Sequence, residues 1–335
     1  MDHWFELGRA QQFGIALEVA RRRGRKLCVQ AKAVSVGAGF RSQGSQSAIV
    51  DEVCIRFLVA RKWADQRNRP RKVKDFVLAY PIIGGRRVRV RIPTDVSEFR
   101  GGRPHSNLNL TGGITSTVDG EPLDLGCACC VVRNASEQTE RYLLSCYHVF
   151  AHRLIRPQDE GLGCTGSDDG TRLGDLFDTA KFTGSLALDA ALVRLSDGSV
   201  DSVSSWGVIA TSRATDFDVG QLPARGPLFV MGRNVAPVVD GLPEVARQDA
   251  IAVQFQSVYP HPTSFDYSLT DGRTFEFSDT IEYQGAVRPG DSGAALLDSH
   301  GMLYGMHFYG QGDIGYALAA PRLFDPGIFS LGIEL

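Results

Sequence analysis

Apolar residues recur along this chain in short runs bounded by glycine, proline and small polar residues, and one stretch near the N-terminus has few such breakers over helical length. Between Leu123 and Leu195, and again between Val208 and Ala319, runs such as Tyr142-Leu143-Leu144-Ser145, Ala190-Ala191-Leu192-Val193 and Gly301-Met302-Leu303-Tyr304 have the length and turn spacing of buried strands. The pattern predicts a mostly β, turn-rich protein. The exception is N-terminal: Trp4 to Arg22, with Phe5, Phe13, Leu17 and Val19, predicts a helix that runs into Arg21-Arg22-Arg23-Gly24-Arg25-Lys26 and ends near Gly24. Ala33 to Phe40 and Val53 to Val59 then read as strands joined by a Gly/Ser/Gln turn, and Phe76 to Ile92 as a further pair turning at Gly84-Gly85. These elements make a small α+β module over residues 1–105, and residues 97–113, rich in Gly, Arg, Pro and Asn, read as a linker.

The chemistry lies further on. Gly290-Asp291-Ser292-Gly293 sits between apolar runs, and glycines on both sides allow a tight, exposed turn in which the N–H groups of Gly290 and Ser292 converge on one carbonyl oxygen. A serine hydroxyl is a poor nucleophile at neutral pH and needs an imidazole to take its proton and an acid to orient that imidazole. His148 stands where the strand-like run Tyr142 to Tyr147 ends, and Asp189 is a lone carboxylate at the start of an apolar run. A buried acid without a partner is costly, so His148 is its natural partner.

These three segments resemble the histidine, aspartate and serine motifs of trypsin-like (chymotrypsin-fold) serine proteases, from about Gly112 to Pro321 and in the order His, Asp, Ser. The resemblance implies two six-stranded antiparallel β-barrels, at about 112–205 and 206–321, within a protease domain 106–335 preceded by the small α+β domain. It implies His148 as general base, Asp189 as its orienter, Ser292 as nucleophile, Gly290 and Ser292 as oxyanion donors, and a protein or peptide substrate. No metal or organic cofactor is implied. The N-terminal order of Gly37-Ala38-Gly39-Phe40 and Ile92-Pro93-Thr94-Asp95-Val96 more weakly resembles bacterial trypsin-like peptidases with an accessory domain and, distantly, the plant narrow-leaf type protease.

The same resemblance points to a pocket for the residue before the scissile bond, lined by Gly305 to Gly310, including His307, Tyr309 and Gly310, and by Val287. His307 falls where glutamate-specific bacterial proteases and glutamine-specific picornaviral cysteine proteases carry a pocket histidine, which implies a Glu or Gln preference. Ala286-Val287-Arg288-Pro289 offers neither the hydroxyl that commonly supports such a histidine nor an acid suited to Lys or Arg. A histidine that merely fills the core is the other reading.

Charge changes the picture more than composition does. Residues 1–105 hold 22 Lys+Arg against 9 Asp+Glu, and the remainder 14 against 29. The basic runs Arg21 to Lys26, Arg67 to Lys74 and Arg86 to Arg91 have the charge to bind nucleic acid or another polyanion, or to dock on the acidic part of the protein. Without aromatic interleaving or a nucleic-acid motif, docking on the acidic part, in the same chain or in a neighbouring copy of a homo-oligomer, is preferred. No apolar stretch reaches bilayer-spanning length, and Met1 to Glu6 lacks the start of a signal peptide. The seven cysteines are odd in number without a disulfide framework, Cys127-Ala128-Cys129-Cys130 reads as buried strand rather than a zinc site, and a cytoplasmic setting follows. Pro157 to Gly161 and Ser167 to Gly170 read as solvated acidic turns. Beside the serine endopeptidase stand two other readings: a latent protease-fold scaffold, and a protease recruited to nucleic acid by its basic module.

Overall fold

The computed structural model describes residues 3–43, 48–60, 73–99, 114–118, 121–137, 139–150, 163–166, 170–180, 188–197, 210–216, 228–231, 251–267, 273–287 and 290–335. Most of the predicted linker, both acidic turns apart from Gly170, the basic run 67–72 and Arg288-Pro289 lie outside these residues.

Helix α1 (Arg9–Ala31) buries Phe13, Ala16, Leu17, Ala20, Gly24, Leu27 and Ala31, one stripe at three- and four-residue spacing. It runs past the predicted end at Gly24 because that glycine lies on the stripe rather than at a cap. A Cβ there would stand 2.3 Å from the ring of His261, whose Nε2 bonds the Ala20 carbonyl at 2.8 Å. The helix ends instead at Lys32, in the left-handed conformation with φ 49°. Phe5, expected on the apolar face, is exposed, and Trp4 is the residue that is buried.

Strands β1 (Ser35–Gln43) and β2 (Ala48–Val59) pair antiparallel. β3 (Phe76–Ala79), β4 (Ile82–Ile83), β5 (Arg86–Arg87) and β6 (Val90–Glu98) follow; β4 and β5 turn at Gly84 and Gly85, both at positive φ as a two-residue hairpin requires. β6 runs parallel to β2 and antiparallel to β3.

The next strands are β7 (Ile114–Val118), β8 (Glu121–Gly126), β9 (Cys130–Asn134), β10 (Arg141–Ser145), β11 (Gly163–Gly166), β12 (Arg172–Thr179) and β13 (Ala191–Leu195). With the C-terminal strand β23 they make an antiparallel ladder in the order β23-β9-β10-β13-β12-β11-β7-β8. The second half comprises β14 (Ser212–Arg213), β15 (Leu228–Met231), β16 (Ile251–Tyr259), β17 (Thr263–Tyr267), β18 (Arg273–Phe277), β19 (Thr280–Gln284), β20 (Ala295–Leu297), β21 (Met302–Gln311), β22 (Ile314–Ala319), the short helix α2 (Ala320–Leu323) and β23 (Ile333–Glu334). Here β15-β20-β21-β22-β19-β16 closes through a β15–β16 pairing into a six-stranded antiparallel barrel.

The N-terminal strands continue this barrel's sheet. β1 pairs with β16 at Ala38↔Val258 and Gly39↔Ser257, so the order runs on through β16-β1-β2-β6-β3. Gly37 and Gly39 permit the approach: a Cβ on either would meet the carbonyl oxygen of Val258 at 2.1 Å or of Gln256 at 2.2 Å. Phe13 of α1, Phe40 of β1 and Phe255 of β16 pack together with centroids 6.0–6.2 Å apart, one apolar core shared by helix, N-terminal sheet and barrel. Across the space Gly39 leaves, Arg56 reaches Gln256 at 2.8 Å and Glu282 at 3.1 Å, and the Tyr259 hydroxyl donates to Glu282 at 2.6 Å. No helix among the described residues is long and apolar enough to cross a membrane.

Candidate active site

β10 and β13 are neighbours, with Ser145 opposite Ala191, so the turn after β10 and the residues before β13 lie side by side. The first, a single 3-10 turn over Tyr147–Val149, carries His148; the second carries Asp189. Asp189 uses both oxygens on His148: Oδ1 accepts the backbone N–H at 2.9 Å and Oδ2 faces ring Nδ1 at 2.5 Å. Both side chains are buried, and the isolated acid of the apolar run has its partner. A carboxylate on Nδ1 makes that nitrogen the protonated one and leaves Nε2 as the proton acceptor.

Gly290 to Gly293 forms the turn expected of it. Gly290 and Gly293 have φ of 98° and 92°, and the N–H of Ala294 donates to the Asp291 carbonyl at 2.8 Å. The turn is held from behind by Cys127, whose N–H donates to the Ser292 carbonyl at 2.7 Å and whose thiol donates to the Gly290 carbonyl at 3.1 Å. The Cys127 carbonyl in turn accepts from the Ser145 hydroxyl at 2.6 Å. A Cβ on Gly293 would stand 2.0 Å from that same carbonyl oxygen, so the position has no room for a side chain. The His307 carbonyl accepts both the Gly293 N–H at 2.8 Å and the Cys146 thiol at 3.3 Å, tying the serine turn to the segment that delivers His148. Gly126 lies between them as well, its absent Cβ 2.4 Å from Val149 and 2.8 Å from the Ser292 carbonyl.

The turn is not the exposed one that its flanking glycines predict: Ser292 has 0% of its surface accessible and His148 only 4%, because the turn packs against Cys127 and the end of β10.

The four pocket residues separate. His307 is fully buried and its Nδ1 lies 2.5 Å from the Tyr283 hydroxyl, so the hydroxyl absent from the segment before Ser292 comes from β19. Burial pushes the Tyr283 phenol well above its ordinary value, with the Asp291 charge adding to the effect, so it remains an O–H donor. Val287 is buried near the start of the serine loop. A bulge between His307 and Tyr309 turns β21, and Tyr309 joins an aromatic cluster with Phe265, at 5.1 Å, and Tyr316. Gly310, opposite Gly315, follows it on β21. Tyr309 is thus part of the apolar core.

Tyr283 and Cys127 were not legible as site residues. Alternation in Thr280-Ile281-Glu282-Tyr283-Gln284 marks a strand with a tyrosine facing inward, yet nothing in it names His307 as the partner. Cys146 lies with His148 and Asp189 in a set of ligand-type atoms all within 4.8 Å of one another. Burial pushes the Cys146 thiol well up, so it stays protonated and serves as a hydrogen-bond donor rather than the thiolate a metal requires. All seven cysteines are free.

Comparison with solved structures finds Thermobifida fusca Protease A at 12% identity and a TM-score of 0.36, over 67% of this chain and 98% of that one. The Nocardiopsis protease NAPase is 14% identical with a TM-score of 0.37, over 66% and 98%. Cellulomonas bogoriensis chymotrypsin is 16% identical with a TM-score of 0.35, over 66% and 97%. No curated protein matches the chain. The family model described as the trypsin-like peptidase domain matches residues 127–306, more than half of the chain, a span that holds His148, Asp189 and Ser292 together: the chain belongs to the trypsin-like peptidase domain family.

Proposed function

We propose that the chain is a serine endopeptidase working by acyl transfer. Ser292 Oγ attacks the peptide carbonyl while His148 Nε2 takes its proton, and the oxyanion is received by the N–H groups of Gly290 and Ser292. The imidazolium, steadied by Asp189, protonates the departing amine; a water then attacks the acyl-enzyme with His148 again as base, releasing the acid and restoring Ser292. The observation that carries this reading is the two-point grip of Asp189 on His148, which fixes ring orientation and tautomer at once. Residues 106–335 carry the chemistry, and residues 1–105 are an accessory part built onto the second barrel.

A Glu or Gln preference before the scissile bond is supported by the Tyr283–His307 pair. A neutral phenol donating to Nδ1 leaves Nε2–H as a donor toward a side-chain carbonyl. The test is hydrolysis of a fluorogenic peptide library by the chain and by Ser292→Ala. Cleavage after Glu or Gln that vanishes in the variant supports the whole reading, cleavage after other residues removes the preference, and cleavage that survives the substitution removes the mechanism.

A second reading, a site closed in the resting protein, is favoured by the absence of accessible surface on Ser292. It predicts turnover of a small activated ester with no turnover of peptides, whereas an open endopeptidase turns over both.

A further inference from the structure

We propose that the groove between α1 and β3 docks an extended acidic peptide segment of another protein, which adds to the sheet as a strand beyond β3. This reading is independent of the peptidase chemistry.

Among the described residues β3 is the last strand of the eleven-stranded sheet, with β6 on its inner side. The register shows which backbone groups point outward. The Thr94 N–H donates to the Asp75 carbonyl at 3.1 Å, so Asp75, Val77 and Ala79 make the ladder with β6, and the alternate residues Phe76 and Leu78 face away. Phe76 stands opposite Pro93, which has no N–H to offer. Arg23 of α1 confirms the direction, donating to the outward carbonyl of Leu78 at 2.5 Å. A strand edge of this kind is a template for another strand.

Beside the edge is a cavity of about 480 Å³ with an apolar floor that includes Leu27, Phe57 and Val77, and with Arg23 and Lys74 at its rim. Exposed large apolar side chains are concentrated in the chain segment that forms this edge. Of the five among the described residues, Phe76 lies on β3 and lines the cavity, Tyr80 directly follows β3, and Ile82 opens β4; Val29 lies on the last turn of α1 and Phe5 near the N-terminus. Apolar surface concentrated at a strand edge marks an interaction site rather than ordinary surface.

Charge selects the occupant. Arg86, Arg87, Arg89 and Arg91 are exposed on the chain that leaves and returns along β3, and the Arg91 guanidinium lies over the Phe76 ring at 5.0 Å. Pairing of this edge with the same edge of a second copy would set these arginines against one another, which is unfavourable. A strand of alternating acidic and apolar residues suits the site: apolar side chains enter the cavity, and carboxylates meet Arg23 and Lys74. Nucleic acid would satisfy the arginines but use neither the apolar floor nor the outward N–H groups.

The test uses the full chain carrying Ser292→Ala, so that no probe is cut, and a fluorescein-labelled peptide of alternating Glu and Val followed by anisotropy. The proposal expects saturable binding, none by the peptide with Lys for Glu, and slowed hydrogen exchange at the Phe76 and Leu78 amides on binding. Leu78→Pro removes an outward N–H and a side chain that lines the cavity while sparing the ladder with β6, and Arg23→Glu reverses a rim charge; each should weaken binding by about tenfold or more. Should Leu78→Pro fail to fold, Phe76→Pro, at the first strand position, gives the same reading, and the exchange measurement needs no variant. Absence of binding overturns the proposal, as does binding with unchanged exchange at both amides. An oligouridylate that displaces the peptide while the proline variant binds as the parent does would reassign the face to polyanions and equally overturn it.

Discussion

Glu282→Gln leaves the Arg56 guanidinium charged in a site where both partners are only 3% exposed. Burial alone would lower the Arg56 pKa, but Glu282, with smaller help from Tyr259 and Asp95, outweighs it and holds the group above its ordinary value. Gln retains an acceptor and the shape of the side chain, so the loss is that of compensating charge. Removing one partner of a buried pair costs about 3–5 kcal/mol, a drop of roughly a hundred- to several-thousand-fold in the folded ratio. Arg56→Met combined with Glu282→Leu removes both charges and should recover at least half of that loss, the remainder reflecting lost partners of Gln256 and Tyr259. The assay is guanidinium denaturation followed by tryptophan fluorescence, Trp4 being fully buried. A cost below about 1 kcal/mol for Glu282→Gln, the value of an exposed pair, would refute the account of how the N-terminal strands are fastened to the barrel.

Four further outcomes are expected. Asp189→Asn should lower peptide hydrolysis by roughly 10³–10⁴-fold with the fold retained, measured as kcat/KM beside circular dichroism, because the amide no longer fixes the tautomer of His148. Gly293→Ala should both destabilise and inactivate, since its Cβ meets the Cys127 carbonyl oxygen at 2.0 Å and φ is 92°; native-like melting of this variant would contradict the packing of the serine turn. Burial raises the pKa of Tyr259, Tyr283 and Tyr316, so the folded state keeps protons that the unfolded state loses; their contribution is full below about pH 10 and is lost as pH rises further, and phenolate absorbance for these three should appear only with unfolding. A thiol reagent should reach Cys28 first, slowly because burial pushes its pKa up to about 11, and the other six cysteines only on denaturation.

The pairing of His148 with Asp189 and the turn at Ser292 were legible because each motif is local: glycines flank Ser292, and His148 and Asp189 stand at the ends of apolar runs that become β10 and the approach to β13. Strand periodicity likewise marked β1, β2 and the hairpin at Gly84-Gly85. What the sequence hid depends on contacts between distant segments. Gly24 looks like a helix stop until His261, far along the chain, is seen packed against it. Gly37 and Gly39 lie in a run that reads correctly as a strand, but nothing in that run names β16 as the neighbour whose close approach they permit. The bulge in β21 decides that His307 meets Tyr283 while Tyr309 joins the aromatic cluster, and periodicity carries no sign of it. Burial of Ser292 leaves no local mark for the same reason, since flanking glycines report the turn and not what packs on it.

The most direct test of the central claim is fluorophosphonate labelling of the purified chain, with the modified peptide mapped by mass spectrometry beside Ser292→Ala and His148→Ala. The account predicts label on Ser292, abolished in the first variant and slowed in the second by about 10³-fold or more. Label on another residue, or on Ser292 at an equal rate without His148, would contradict it.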